Sequence, residues 1–208
     1  MAFRVLFRFS KEGEARFLSH HDLIRLFERA MRRAALPVRM TQGFNPHPKF
    51  AILSALPVGV EADHEALEVQ LDQPVPPDEA LRRLGAQLPT GIALRSAKAI
   101  EPGARLAVVG SAYQIALPEG LEVSEADVER FLASDHAIVE RANGKSLDIR
   151  PAIASLQVEG RVVNLAVRHA EGGTPRPSEV LVALTARPAP PDARVRRTGL
   201  DLRIARKG

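Results

Sequence analysis

Three of the six histidines, His20, His21 and His47, fall in one short basic stretch near the start of this 208-residue chain. An imidazole at a helix N-terminus beside basic side chains is held toward its neutral form, which suits general acid–base work. His20 is the candidate for that role, and metal-independent cleavage of RNA is the reaction it would serve. The plainer alternative is that these histidines cap a helix and order a loop. A metal site is not expected. Adjacent helical residues point about 100° apart, so His20 and His21 cannot both join His47. The sequence also lacks HxH and HExxH patterns and has no cysteine.

The second group with chemical potential is Gly43-Phe44-Asn45-Pro46-His47-Pro48-Lys49. Two prolines fix φ and reduce the entropy of ordering the loop, while Gly43 can take positive φ. Phe44 and His47 offer flat faces for a stacked base, with Asn45 and Lys49 beside them for polar and charged contacts. Alternatively, Phe44 plugs the core and the prolines only shape the turn. Arg16 and Arg25, flanking Ser19-His20-His21, are candidates to hold a phosphate. Further on, Asp148-Ile149-Arg150-Pro151 places an acid and a cation on one face of an extended strand, either as a local salt bridge or as a binding pair. Thr174-Pro175-Arg176-Pro177 precedes a helix start, where backbone donors and Arg176 could hold an anion. The basic run Arg194-Val195-Arg196-Arg197 is a strand edge or an unstructured end.

Elements must position these groups. Phe3-Arg4-Val5-Leu6-Phe7-Arg8-Phe9 alternates with period two and predicts a half-buried strand with Arg4 and Arg8 on its open face. Ser19 and Asp22 form a variant capping box for a helix over 20–35, with Leu23, Ile24, Phe27, Ala30, Met31 and Ala34 inward and Arg25, Glu28, Arg29, Arg32 and Arg33 outward. Strands follow over 50–56 and 65–71, then a helix from Pro77 with acids in its first turn, then a strand over 91–97. The order repeats. A strand over 112–117, a helix from Ser124, an interrupted strand turning at Asn143-Gly144, a strand pair turning at Glu159-Gly160, a helix from Pro177 and a last strand over 196–204 complete it. This predicts an α+β protein of two tandem ferredoxin-like (βαββαβ) domains with antiparallel sheets, over 1–103 and 104–208.

Composition narrows the function classes. An apolar fraction of 45% with 26% charged residues is that of a folded globular chain. Residues 1–50 hold ten basic side chains against four acidic ones, and residues 51–102 reverse the sign, with eight acids against four bases. A basic N-terminal surface for a polyanion is one reading; arginine-rich composition without function is the other. The first residues carry arginines inside their apolar run and no signal-peptide core, and no stretch reaches the ~20 apolar residues of a membrane span. A cytoplasmic protein without membrane contact is expected.

Arg16-Phe17-Leu18-Ser19-His20-His21-Asp22-Leu23, Gly43-Phe44-Asn45-Pro46-His47-Pro48-Lys49 and Ala55-Leu56-Pro57-Val58-Gly59, with Leu147-Asp148-Ile149-Arg150-Pro151 and Arg176-Pro177, together resemble the radical SAM-linked (radical SAM-associated) protein family, over nearly the whole chain. That family is a domain of unknown function, fused to or encoded beside a radical SAM protein. The resemblance implies a radical SAM partner and names no reaction. His21 stands where the pattern has an apolar residue, which leaves His20 the better catalytic candidate.

No CxxxCxxC, GxGxxG or P-loop pattern is present, so no cofactor is expected. The resulting expectation is a non-catalytic accessory protein that binds the substrate of a radical SAM enzyme, RNA in preference, or docks to the enzyme. The alternatives are an endonuclease using His20 and a pure protein–protein adaptor. The expected binding residues are Arg16, Ser19, His20, His21, Arg25, Phe44, Asn45, His47, Lys49, Asp148, Arg150 and Arg176.

Overall fold

The computed structural model describes residues 3–141, 144–169, 173–190 and 193–206. Asn143 of the expected Asn143-Gly144 turn lies outside them. The chain is a mixed α+β protein that divides into two units near Ala107/Val108, with the last strand from Arg203 onward grouped with the first unit. No helix among the described residues is long and apolar enough to cross a membrane.

In the first unit, β1 (Phe3–Lys11) is followed by a 3-10 turn (Gly13–Phe17), α1 (His20–Arg33), β2 (Phe50–Ile52), β3 (Glu61–Leu71), α2 (Pro77–Gly85) and β4 (Ile92–Ile100). The strands β4, β1 and β3 lie side by side, and β2 pairs with β3. β1 is antiparallel to both neighbours, with Val5 opposite Val69 on one side and Ala99 on the other. Alternation works as expected: Val5, Phe7 and Phe9 are buried, with the Phe9 and Phe27 rings edge to face at 5.0 Å. Arg4 on the other face is not open to solvent in the way expected; its Nε donates to Glu68 Oε1 at 2.6 Å on the neighbouring strand.

α1 ends at Arg33, two residues earlier than the spacing suggested, and Ala35 takes a left-handed conformation at φ 49° before Pro37. Its inward face carries Leu26 where Ile24 was expected, because Leu23, Leu26, Phe27, Ala30 and Met31 make the buried stripe. Arg83 of α2 donates to the Ala34 carbonyl from Nε at 3.0 Å and from Nη2 at 2.8 Å, fixing the end of α1. The expected buried strand over 50–56 is reduced to the three partly exposed residues of β2. Beyond them Leu53 N donates to Ala66 O at 2.9 Å, before Pro57, which has no N–H, closes the segment.

The second unit contains most of β5 (Ala104–Ala116), then α3 (Glu125–Ala133), β6 (Ile138–Glu140), β7 (Ser146–Asp148), β8 (Ile153–Glu159), β9 (Val162–Arg168), α4 (Pro177–Thr185) and most of β10 (Arg194–Arg206). Its strand order is β10-β5-β9-β8, and β6 and β7 form a separate antiparallel hairpin. Ile115, Val163, Leu165 and Val180 are at the centre of a second apolar core, separate from the one built on Phe7, Phe27 and Leu67. β5 runs eight residues further toward the N-terminus than the apolar run over 112–117 indicated, as ladder pairing extends a strand through residues of weak propensity.

Candidate functional site

The first unit presents its candidate residues in two places. At the start of α1, Ser19 Oγ accepts from Asp22 N at 3.2 Å while Asp22 Oδ2 accepts from Ser19 N at 3.1 Å, a reciprocal capping box. The Ser19 hydroxyl also donates to Asp22 Oδ2 at 2.6 Å, and these bonds hold the Asp22 carboxyl below its usual range. Lys11, wholly buried at the end of β1, sends its ammonium to the carbonyls of Arg16 at 3.0 Å and Leu18 at 3.3 Å. Gly91 makes room for the same loop. A Cβ there would stand 2.7 Å from the Glu12 carbonyl, at a φ of +89° that L side chains avoid. The lead-in to His20 is thus fixed from the end of β1 and the turn before β4.

His20 is half-buried, and its Nδ1 is enclosed without a hydrogen-bond partner among the described residues. The His20 and His21 rings stand 6.2 Å apart, nearly edge to face. No group of three or more metal-ligating side chains occurs among the described residues. Arg16 lies over the exposed Phe17 ring at 4.5 Å, and Arg25 adds its charge to the environment of Asp22 from the next turn.

The second place is a hairpin-like arm over 39–49. Met40 bridges to Pro48, Thr41 N donates to His47 O at 2.8 Å, and His47 N donates back to Thr41 Oγ1 at 2.9 Å. At the base, Lys49 N donates to Arg39 O at 2.7 Å, and Arg39 N and Gln70 N make bonds of 2.8 and 2.9 Å that join the arm to β3. Gly43 at the tip has φ 131°, and the neighbouring Phe44 is fully exposed at 106%. Phe44 therefore does not plug the core. Asn45 and His47 are exposed with it.

Between the arm and the second half of α1 is a cavity of about 240 Å³. Its apolar lining comes from the buried Met31 and Leu36 with Val38, Met40, Pro46 and Pro48, and its polar lining from Glu28, Arg32 and His47. His47 thus meets α1 eight to twelve residues past His20, roughly 12–18 Å along the axis. The two histidines do not share a site. Arg29 and Arg32 are exposed on this helix, and like Glu28 they make no hydrogen bond or ion pair among the described residues.

In the second unit, Asp148 and Arg150 do not pair side chain to side chain. Asp148 Oδ2 meets His136 Nδ1 at 2.6 Å, and Oδ1 accepts from Ala137 N at 2.9 Å and Arg150 N at 3.1 Å. The chain turns into a short 3-10 segment at Arg150, which breaks the extended alternation on which a shared face depends. Arg150 Nη2 instead donates to Leu132 O at 2.6 Å. At the start of α4 the anion position is already filled from within: Glu179 Oε2 accepts from Arg176 N at 2.8 Å. Arg141 also clamps Glu179 through Nε at 2.8 Å and Nη2 at 2.9 Å, while the Arg176 guanidinium stays largely in solvent.

Residues 4–177 match the family described as "Uncharacterized protein conserved in bacteria (DUF2344)". The chain belongs to the DUF2344 family. No curated protein matches it. Among solved structures it is similar to a chain of a Cbf5-Nop10-Gar1 complex at 12% identity and a TM-score of 0.48, with 94% of this chain aligned to 48% of that one. It spans about half the length of that chain. A protein of unknown function from Galdieria sulphuraria aligns at 13% identity and a TM-score of 0.30, over 81% of each chain.

Two features of this DUF2344 member escaped the sequence reading. The cavity is one, since Met40 and Glu28 carry no motif and come together only through the arm's register. The other is Ser111, buried on β5, whose Oγ lies 2.8 Å from His169 Nε2. Burial, and then the Arg197 charge, lower the His169 pKa. With Ser111 only 1% exposed the pair has the look of a dyad without a substrate's access to the hydroxyl. Fifty-eight residues separate the two, so no local pattern announces them.

Proposed function

We propose that this protein is a non-catalytic accessory subunit of a radical SAM enzyme and that it holds the enzyme's RNA substrate on the α1–arm face of its first unit. The observation that carries the reading is the pairing of a fully exposed Phe44, on an arm tied down at its base, with the solvent-facing Arg29 and Arg32 on the adjoining helix, which make no hydrogen bond or ion pair among the described residues. An exposed aromatic beside solvent-facing cations is the combination that single-stranded nucleic acid uses for stacking and backbone neutralisation. Arg25, Lys49 and His47 extend the basic surface, while Arg16, Ser19, His20 and His21 form its neighbouring end. The radical SAM partner follows from the motif resemblance, and the absence of any cysteine means the cluster must belong to that partner. Both units follow the strand order of a βαββαβ fold, β4-β1-β3-β2 and β10-β5-β9-β8, which supports reading them as ferredoxin-like domains.

The test is to co-express the chain with the radical SAM protein encoded beside it, purify in moderate salt, and quantify bound RNA, with wild type and Phe44→Ala in parallel. The expected outcome is a stable complex whose RNA content falls several-fold in Phe44→Ala while the protein–protein association persists. A complex without RNA would make the protein an adaptor. RNA cut in a His20-dependent manner would make it a nuclease instead.

A further inference from the structure

The cavity between α1 and the arm is built for something narrower than a strand of backbone. At about 240 Å³ it lies below the ~300–1,000 Å³ of pockets that take drug-sized ligands, so a single planar ring system is the scale of its occupant. Much of its lining is apolar and soft: Met31 and Met40 supply thioethers that favour contact with an aromatic ring. Pro46 and Pro48 hold the opposing wall rigid, since their φ angles are fixed. The polar contribution is asymmetric, with one carboxylate, Glu28, and two groups that favour anions, Arg32 and His47. Glu28 has no hydrogen bond or ion pair among the described residues, although Arg32 lies one turn along the same helix.

Resting on the RNA reading above, we infer that this cavity receives one unpaired nucleobase, and that Glu28 selects guanine. A carboxylate only accepts hydrogen bonds. The occupant must therefore turn N–H donors toward it, and among the four RNA bases only guanine offers two adjacent donors, N1–H and the exocyclic amine, on one edge. Those two donors match the two oxygens of a carboxylate. Uracil has a single ring donor flanked by two carbonyls that a carboxylate repels, and adenine and cytosine each present one amine beside an acceptor nitrogen. Arg32 at the mouth meets the phosphate that enters with the base, and the fully exposed Phe44 stacks its neighbour.

The experiment is fluorescence anisotropy with end-labelled nine-nucleotide RNAs that are all uridine, or all uridine with one central guanosine, adenosine or cytidine. Wild type, Glu28→Gln, Met40→Ala and Arg25→Gln are compared at fixed salt. The expected result is a preference of roughly tenfold for the guanosine oligonucleotide, the scale of one good bidentate pair. It should shrink to within about twofold in Glu28→Gln and weaken in Met40→Ala, while Arg25→Gln lowers affinity for all four RNAs alike. Equal binding of all four by wild type, or a guanosine preference that survives Glu28→Gln, overturns the base-selection inference and leaves the RNA reading standing. No binding of any of the four overturns both.

Discussion

Lys11 shows how much a single residue can do for a site it does not belong to. It continues the inward row of Val5, Phe7 and Phe9 along β1, and so enters the core where a hydrophobic residue would be expected. Its ammonium answers the carbonyls of Arg16 and Leu18, two groups that end the 3-10 turn and have no helical partner beyond it. Lys11→Met keeps the length and apolar stem but takes the ammonium from the half-buried Leu18 carbonyl, while the Arg16 carbonyl keeps its bond from Gly59 N at 2.9 Å. Leaving such groups unsatisfied costs about 1–3 kcal/mol. A lower urea midpoint at unchanged slope is the expected readout. An unchanged midpoint would show that water reaches the Leu18 carbonyl in its place. Phe44 is the opposite case at the same scale: the bulkiest residue of its loop, and one that contributes nothing to either core.

At the scale of elements, helix starts were the most legible part of the molecule. Ser19/Asp22 and Ser124/Asp127 are spaced three apart ahead of apolar runs, and both form reciprocal capping boxes. That legibility is local physics: the cap needs only its own first turn. The arm was legible as a rigid loop from its prolines and Gly43, but not its direction, because that depends on Lys49 and Arg39 bonding to each other and to Gln70 of β3. The Asp148–Arg150 pairing failed for a related reason, since alternation predicts a shared face only while the backbone stays extended. Asp127 offers a direct check on the caps. Hydrogen bonds from the Ser124 side chain and backbone, with a smaller part from Arg130, lower its pKa from the usual 3.8 to about 2. A folded-state value below the unfolded one means the stabilisation is fully present above pH ~4 and is lost as pH falls from 3.8 toward 2. In Ser124→Ala the Asp127 value should climb back toward 3.8, read by the side-chain carbonyl shift in an NMR titration. A value that stays near 2 would assign the shift to the Ser124 backbone N–H and Arg130.

At the scale of the whole chain, a formal charge of +4 and a sequence pI near 9.9 say that polyanions will be attracted, but not where. Two explanations of the proposed RNA binding then compete: a general attraction set by net charge, and a surface assembled on α1. They separate when charge is removed from one place and not another. Replacing Arg25, Arg29 and Arg32 by glutamine takes the formal charge from +4 to +1, and replacing Arg105, Arg168 and Arg187, exposed elsewhere, does the same. If three phosphate contacts are lost, the slope of log K against log salt for a single strand shrinks by about 2. The α1 variant should show that shallower slope, and the second variant should keep nearly the wild-type slope with a small uniform loss of affinity. Equal slopes in the two variants would mean that net charge alone draws the RNA. The α1–arm face would then have no claim to it, however well its cavity fits a base.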